Sequence, residues 1–267
     1  MGSLQLWAGP ECAVNRVGDA YRDRLEQTGF AQRLDDLDRI AGVGIQRIRL
    51  PLLCERSGLG SGAGFDWRWA DARIDRMQSA GLHCIAGLVH HGSGPRGTQL
   101  LDPAFPDAWA RCARAAAQPY PHLDAYTPVN EPMTSACFSA LYGIWCPHHR
   151  SDAGFLRALL NQVLATRLAM REIRRVDQAA QLVQTDYLGF THATPTLRYQ
   201  SEFENARHWL AFDLLGAAGW LTSAWRGAQR VRAEGADIRA VTVWAAFSTM
   251  TGTACCASET GATDLSV

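Results

Sequence analysis

The chain alternates short apolar runs with longer amphipathic stretches. Apolar runs at 4–9, 45–53, 82–89, 123–129, 181–187 and 238–246 read as strands. Stretches at 31–41, 66–80, 105–117, 155–176, 199–215 and 220–234 read as helices. In the first helix Leu34, Leu37 and Ile40 share a face; in the second, Trp69, Ile74 and Met77 fall at near-helical spacing. In the long fourth helix Leu156, Leu159, Leu160, Val163, Leu164 and Leu168 are expected to point inward. Gly42, Gly44 and Gly81 punctuate the helix ends.

Regular alternation of strand and helix predicts a parallel sheet joined by right-handed helical crossovers. The expected fold class is α/β, a TIM-barrel-like (β/α)8 architecture. With about six recognisable strands the barrel would be incomplete. An open doubly wound sheet is the alternative, but no GxGxxG follows the first strand, which argues against dinucleotide binding. One barrel domain is expected over 1–247, followed by an atypical tail at 248–267. The stretch Met250 to Ala262 is small and polar and unlike the rest. A shift of reading frame is one origin for it, which sequencing the gene would test.

Composition narrows the function classes. The 267 residues are 47% hydrophobic with a formal net charge of +0, so neither nucleic acid nor an anionic membrane is an expected partner. All 26 basic residues are Arg, which removes lysine Schiff-base chemistry and a Walker-type phosphate loop. The eight Cys are scattered without a CxxC pair, and reduced thiols in a cytoplasmic protein are expected. No basic region followed by an apolar stretch opens the chain, and no run of about 18 apolar residues suggests a membrane span.

Polar residues cluster where the strands end. His90 and His91 follow the third strand, Asn130 and Glu131 the fourth, and Asp186 and Tyr187 close the fifth. In a barrel, strand C-termini are where chemistry is built. The densest signal is Tyr126-Thr127-Pro128-Val129-Asn130-Glu131-Pro132. A carboxylic acid there can protonate a glycosidic oxygen while the neighbouring Asn holds a sugar hydroxyl. A plain surface turn is the alternative. His90 is a candidate sugar contact or a buried core residue; His83 reads as core. Trp145 is a candidate stacking platform for a pyranose, or loop packing. Cys146-Pro147-His148-His149 lacks convergent partners, so no metal is expected, and no cofactor either.

These motifs resemble glycoside hydrolase family 1, β-glycosidases with Asn-Glu-Pro at the end of barrel strand four. Leu6-Trp7-Ala8-Gly9 is similar to that family's opening strand, with Asn15 where the family has a sugar-binding Gln. Arg49 stands where the family has an Arg near its nucleophile, and Val89-His90 resembles its third-strand Tyr-His. A closer resemblance is to the family-1-like barrel at the N-terminus of bacterial fusions with a sugar-nucleotide reductase domain. It rests on Gly87 to Arg96, Tyr126 to Pro132, Leu182 to Asp186 and Ala240 to Ala245.

The resemblance implies hydrolysis of β-linked small glycosides, with Glu131 as general acid and Asn130, His90, Arg49, Asn15 and Trp145 around the substrate. It fails at one point. The family's nucleophile lies in a Thr-Glu-Asn-Gly-like segment on strand seven, and no such segment exists here. Segments resembling strands six and seven are missing. Three explanations stay open: an inactive remnant that binds sugar or serves structure, a rebuilt site with Asp186 as the second carboxylate, or a barrel completed by a second chain. Open sheet edges make self-association as a homo-oligomer a further expectation. An open-sheet oxidoreductase fragment is the remaining class, weakened by the absent phosphate loop.

Overall fold

The computed structural model describes residues 5–18, 20–58, 64–94 and 97–216. The chain divides into two compact units, Met1–Gln184 and Thr185–Val267. The predicted helix at 220–234, the strand at 238–246 and the tail at 248–267 lie outside the described residues.

In the first unit, β1 (Trp7–Ala8) leads to an antiparallel hairpin of β2 (Val14–Val17) and β3 (Ala20–Asp23). Helices α1 (Arg24–Thr28) and α2 (Asp36–Gly42) precede β4 (Arg47–Pro51). Then come α3 (Cys54–Ser57), α4 (Arg68–Ser79), β5 (His83–Gly87), α5 (Phe105–Ala117) and β6 (Ala125–Thr127). The connection from β6 runs through α6 (Pro132–Ala136), a π-helical turn at Cys137–Leu141 and the long α7 (Asp152–Ile173) to β7 (Gln181–Leu182).

The main sheet has the order β1-β4-β5-β6-β7, and every pairing in it is parallel. Each strand is added beside the one before it along the chain, and the order never reverses. A doubly wound sheet reverses at a switch point, whereas a barrel winds one way. The topology is therefore that of a barrel, and among the described residues its five strands do not close.

Burial explains the strand sequences. Ile48, Arg49, Leu50 and Pro51 of β4, Cys84 to Gly87 of β5, and all of β6 are buried, on both faces of the pleat. A parallel sheet covered on both sides needs such unbroken runs. Local capping sets the helix ends. Asp23 accepts hydrogen bonds from the Leu25 and Glu26 amides at the start of α1, and Ser151 accepts from the Gly154 amide at the start of α7. α5 packs most extensively on α7, both offering alanines to the contact-rich interior: Ala110, Ala113, Ala116 and Ala117 on one, Ala158, Ala165 and Ala169 on the other.

Several expectations are corrected. The strands are shorter than their apolar runs, because the ends turn into loops once past the sheet register. On α7, Leu159 and Val163 are buried but Leu156, Leu160 and Leu164 are exposed. The alanine stripe, not the leucine stripe, allows the closer approach to α5. His83 opens β5 exposed rather than in the core. Reduced thiols throughout are not what the fold contains either, since Cys54 at the start of α3 and Cys112 in α5 form a disulfide across 58 residues of chain. Neither spacing nor a motif marks that pair; the packing of α3 near α5 creates it.

In the second unit a 3₁₀ turn at Pro195–Leu197 precedes α8 (Arg198–Arg207) and α9 (Leu210–Leu215), two helices where the periodicity predicts one. Asn205 clasps the Thr191 backbone at both its amide and its carbonyl, at 2.7 and 3.0 Å. Among the described residues no helix is long and apolar enough to cross a membrane.

Candidate active site

Parallel register brings the ends of β4, β5 and β6 side by side. Arg49 pairs in register with Ile85, and Ile85 with Ala125. Just beyond, His90 forms a parallel bridge with Asn130, whose amide donates to the Val89 carbonyl at 3.0 Å. Arg49, His90, His91, Asn130 and Glu131 therefore meet at one end of the sheet, the C-terminal end of its strands.

Glu131 sits at the turn from β6 into α6. Its backbone is left-handed, at φ 45° and ψ 64°, and it precedes Pro132. A non-glycine residue there is strained, and a following proline disfavours helical backbone further. His91, its neighbour, has φ 56°. Two such residues lie side by side here, and the surrounding structure must hold each against the cost of its conformation. The strain turns Glu131 out of the strand's alternation and hands its carbonyl to the Ser135 amide, at 3.0 Å, as the first bond of α6.

The Glu131 carboxyl is buried, with Oε2 3.7 Å from His91 Nε2. Burial raises its pKa above the ordinary 4.5, opposed by a hydrogen bond from Thr134, the positive charge of Arg49 and a hydrogen bond from Asn130. Desolvation favours the protonated form of such a carboxyl, and the nearby cation favours the ionised one. Arg49 is itself buried and donates to Asn130 Oδ1. Asn130 Nδ2 lies 3.4 Å from His91 Nε2, and His91 Nδ1 lies 3.1 Å from the Ser135 hydroxyl. One tautomer satisfies all of these: Nε2 accepts from Asn130 and Nδ1–H donates to Ser135. Burial and Arg49 push the His91 pKa down to about 3, so the ring stays neutral at that position.

His90 is held differently. Its Nδ1 is 2.9 Å from the Cys12 sulfur. Burial keeps Cys12 a thiol, pushed up to about 12, and drives the His90 pKa well below 6.5. The thiol donates and neutral His90 accepts. Of the two adjacent histidines, the one beside Glu131 is thus His91, which sequence reading did not single out. The His-His pair was the signal, but adjacent positions in a loop cannot be told apart without its path.

Trp145 is half-buried, its ring 5.2 Å from the His91 ring and stacked on Phe138 at 4.7 Å. It borders the cluster as a stacking face would. Asn15 lies on the β2–β3 hairpin in register with Arg22, one residue past Val14, whose amide donates to the His90 carbonyl at 3.2 Å. Asp186 belongs to the second unit. It lies beyond the end of β7 rather than on it, is buried, and accepts from the Tyr187 amide at 2.9 Å. Glu55 in α3 is a buried carboxyl that sequence reading missed. Its Oε1 accepts from the Gly94 amide at 3.1 Å, its Oε2 has no hydrogen-bond partner among the described residues, and burial pushes its pKa up to about 8. A cavity of about 430 Å³ is lined by Arg16, Thr98, Gln99, Cys146 and His148 among others, and by none of the residues of this cluster.

A parallel sheet whose strands add in one direction defines the class by its fold: a shortened TIM-type barrel, with a carboxylic acid, an amide, an arginine and two histidines at its C-terminal end. No family model matches the chain, and no curated protein sequence does. Among solved structures, it is similar to a β-glucosidase from Thermotoga maritima in complex with methoxycarbonyl-substituted glucoimidazole. That likeness has a TM-score of 0.61 at 15% identity, over 76% of this chain and 53% of the other. It is also similar to the virulence factor SghA of Agrobacterium tumefaciens, with TM-score 0.58 at 21% identity, over 67% and 42%. A Thermotoga maritima family 1 glycoside hydrolase with a cyclophellitol analogue gives 0.59 at 16%, over 76% and 53%. The chain therefore has the fold of family 1 glycoside hydrolases in shortened form, and spans about half the length of these proteins.

Proposed function

We propose that this chain hydrolyses β-glycosidic bonds in small β-glucosides or β-galactosides, with Glu131 as the general acid. The observation that carries the reading is the setting of Glu131: a buried, strained carboxyl of raised pKa, at a strand end, against Arg49, Asn130 and His91. In this reading Asn130 and His91 orient sugar hydroxyls, Trp145 offers a ring to the pyranose face, and Arg49 tunes the charge of the carboxyl. The family-1 fold supports the substrate class.

The test is release of p-nitrophenol from β-glucoside, β-galactoside and β-fucoside substrates by wild type and by Glu131→Gln. Wild type turns over at least one substrate, and the variant loses about 10²–10⁴-fold in kcat/KM, the usual contribution of a general acid. Inert, folded wild type across the panel refutes it. One observation favours a second reading, a sugar-binding barrel without turnover: no Thr-Glu-Asn-Gly-like segment occurs in the sequence to supply a nucleophile. Sugar binding by calorimetry without nitrophenol release would establish that reading instead.

A further inference from the structure

A second cluster of charge lies between α5 and α7. Each of these helices carries the chain back from the end of one parallel strand to the start of the next, so each runs against the strands. Their last turns therefore lie towards the end of the sheet opposite Glu131. On α5, Asp107, Arg111 and Arg114 are spaced four and three residues apart and share one face. On α7, Arg171 and Glu172 stand in the last turn, with Arg175 just beyond it. A cavity of about 310 Å³ is lined by Asp107, Ala110, Arg111, Arg114, Arg171 and Glu172.

The acids of this cluster do not use up its arginines. Glu172 is buried, and both its oxygens lie 2.8 Å from Arg175 Nη1. Arg114 and Arg171 stay at 3.5 and 3.6 Å, near enough to feel the carboxylate but without a hydrogen bond to it. The Arg111 guanidinium has no hydrogen-bond or ion-pair partner among the described residues. Elsewhere arginines close on an acid, as Arg39 does on Asp36 at 3.0 Å and Arg76 on Asp38 at 2.6 Å. With Glu172 balanced by Arg175, three guanidiniums face one acid, Asp107, an excess of two positive charges at the cavity. Arg114 and Arg171 also suit the negative ends of their helices, but Arg111 stands more than a turn earlier, where that reason does not reach. A guanidinium is a planar fork of N–H donors that fits phosphate oxygens in pairs. We propose that this cavity binds the dianionic phosphate group of a small ligand, with Arg111, Arg114 and Arg171 as the donors. The charges match, and the volume is in the range of small-ligand pockets. Phosphate binding here is independent of the hydrolase reading.

The experiment titrates inorganic phosphate into the full chain by calorimetry at pH 8, where phosphate is mostly dianionic, with chloride at matched ionic strength as the blank. Wild type gives saturable binding. Arg111→Gln and Arg171→Gln each weaken it about tenfold or more, the loss expected for a hydrogen bond between charged groups. Arg111→Gln unfolds at the wild-type temperature when phosphate is absent, because the guanidinium it removes holds nothing in the protein. Arg157→Gln, which removes an exposed arginine of α7 that does not line the cavity, binds phosphate as wild type does and so separates the site from net charge. Nitrate, a monoanion, binds at least about tenfold more weakly than phosphate. No saturable binding by wild type, unchanged affinity in Arg111→Gln, an equal loss in Arg157→Gln, or nitrate held as tightly as phosphate each overturns the proposal.

Discussion

Glu55 offers the sharpest physical test of the loops that build this site. It is fully buried, with one oxygen on the Gly94 amide and the other without a partner among the described residues, and its pKa is pushed up to about 8 from 4.5. Between those two values the folded protein holds a proton that the unfolded chain has lost. Stability therefore falls as pH rises through that window, and levels off above about 8. The shift of about 3.5 units corresponds to about 5 kcal/mol in all, of which about 4 kcal/mol falls between pH 5 and pH 9. With a urea slope of about 2 kcal/mol per molar, the wild-type midpoint should drop by about 2 M over that range from this group alone. Glu55→Gln keeps the oxygen that accepts from Gly94 and removes the titration. Urea unfolding followed by circular dichroism at pH 5, 7 and 9 should show a much flatter profile for the variant. All other titrating groups are common to the two proteins and cancel in the comparison. Parallel profiles for wild type and variant would refute the buried, proton-holding Glu55 and with it the clasp on the loop after β5.

Three other outcomes are expected. A Cβ at Gly92 would lie 2.0 Å from Glu55 Oε1 and 2.9 Å from the Val14 carbonyl oxygen, a backbone atom that cannot swing away. Gly92→Ala should therefore cost about 1–3 kcal/mol in chemical denaturation, the range for overpacking. The alkaline limb of kcat/KM follows ionisation of Glu131 and should lie above pH 4.5. Arg49→Met removes a charge that lowers this pKa and should move the limb higher still, an effect read directly from pH–rate profiles. Peptide mapping without reductant should recover Cys54 and Cys112 in one cross-linked species, and separate peptides would remove that tie between α3 and α5.

What the sequence by itself determined is the part of the protein that depends on local patterning. The alternation of buried runs with amphipathic stretches marks a parallel sheet, because only strands covered on both faces are apolar without interruption. Asn130-Glu131-Pro132 was legible for a similar reason: a proline cannot continue a strand, so the acid before it must sit at a strand end. Arg49 was legible only through the resemblance, at the strand position where family 1 has an arginine, since β4 carries Arg47 as well.

Only the tertiary structure decided how those pieces meet. The choice of His91 over His90 as the neighbour of Glu131 comes from the path of the loop after β5, which turns one ring towards Cys12 and the other towards Ser135. Cys12 and Glu55 carry no motif. They matter because the segment after β1 crosses the end of β4 to bond with His90, and because α3 tucks its carboxyl under Gly94. The exposed leucines of α7 tell the same story, since a helix presents several apolar rows and the neighbour's alanines select which one is buried. Contacts between residues dozens of positions apart depend on register and close packing, and a one-dimensional pattern of apolar and polar residues does not encode either.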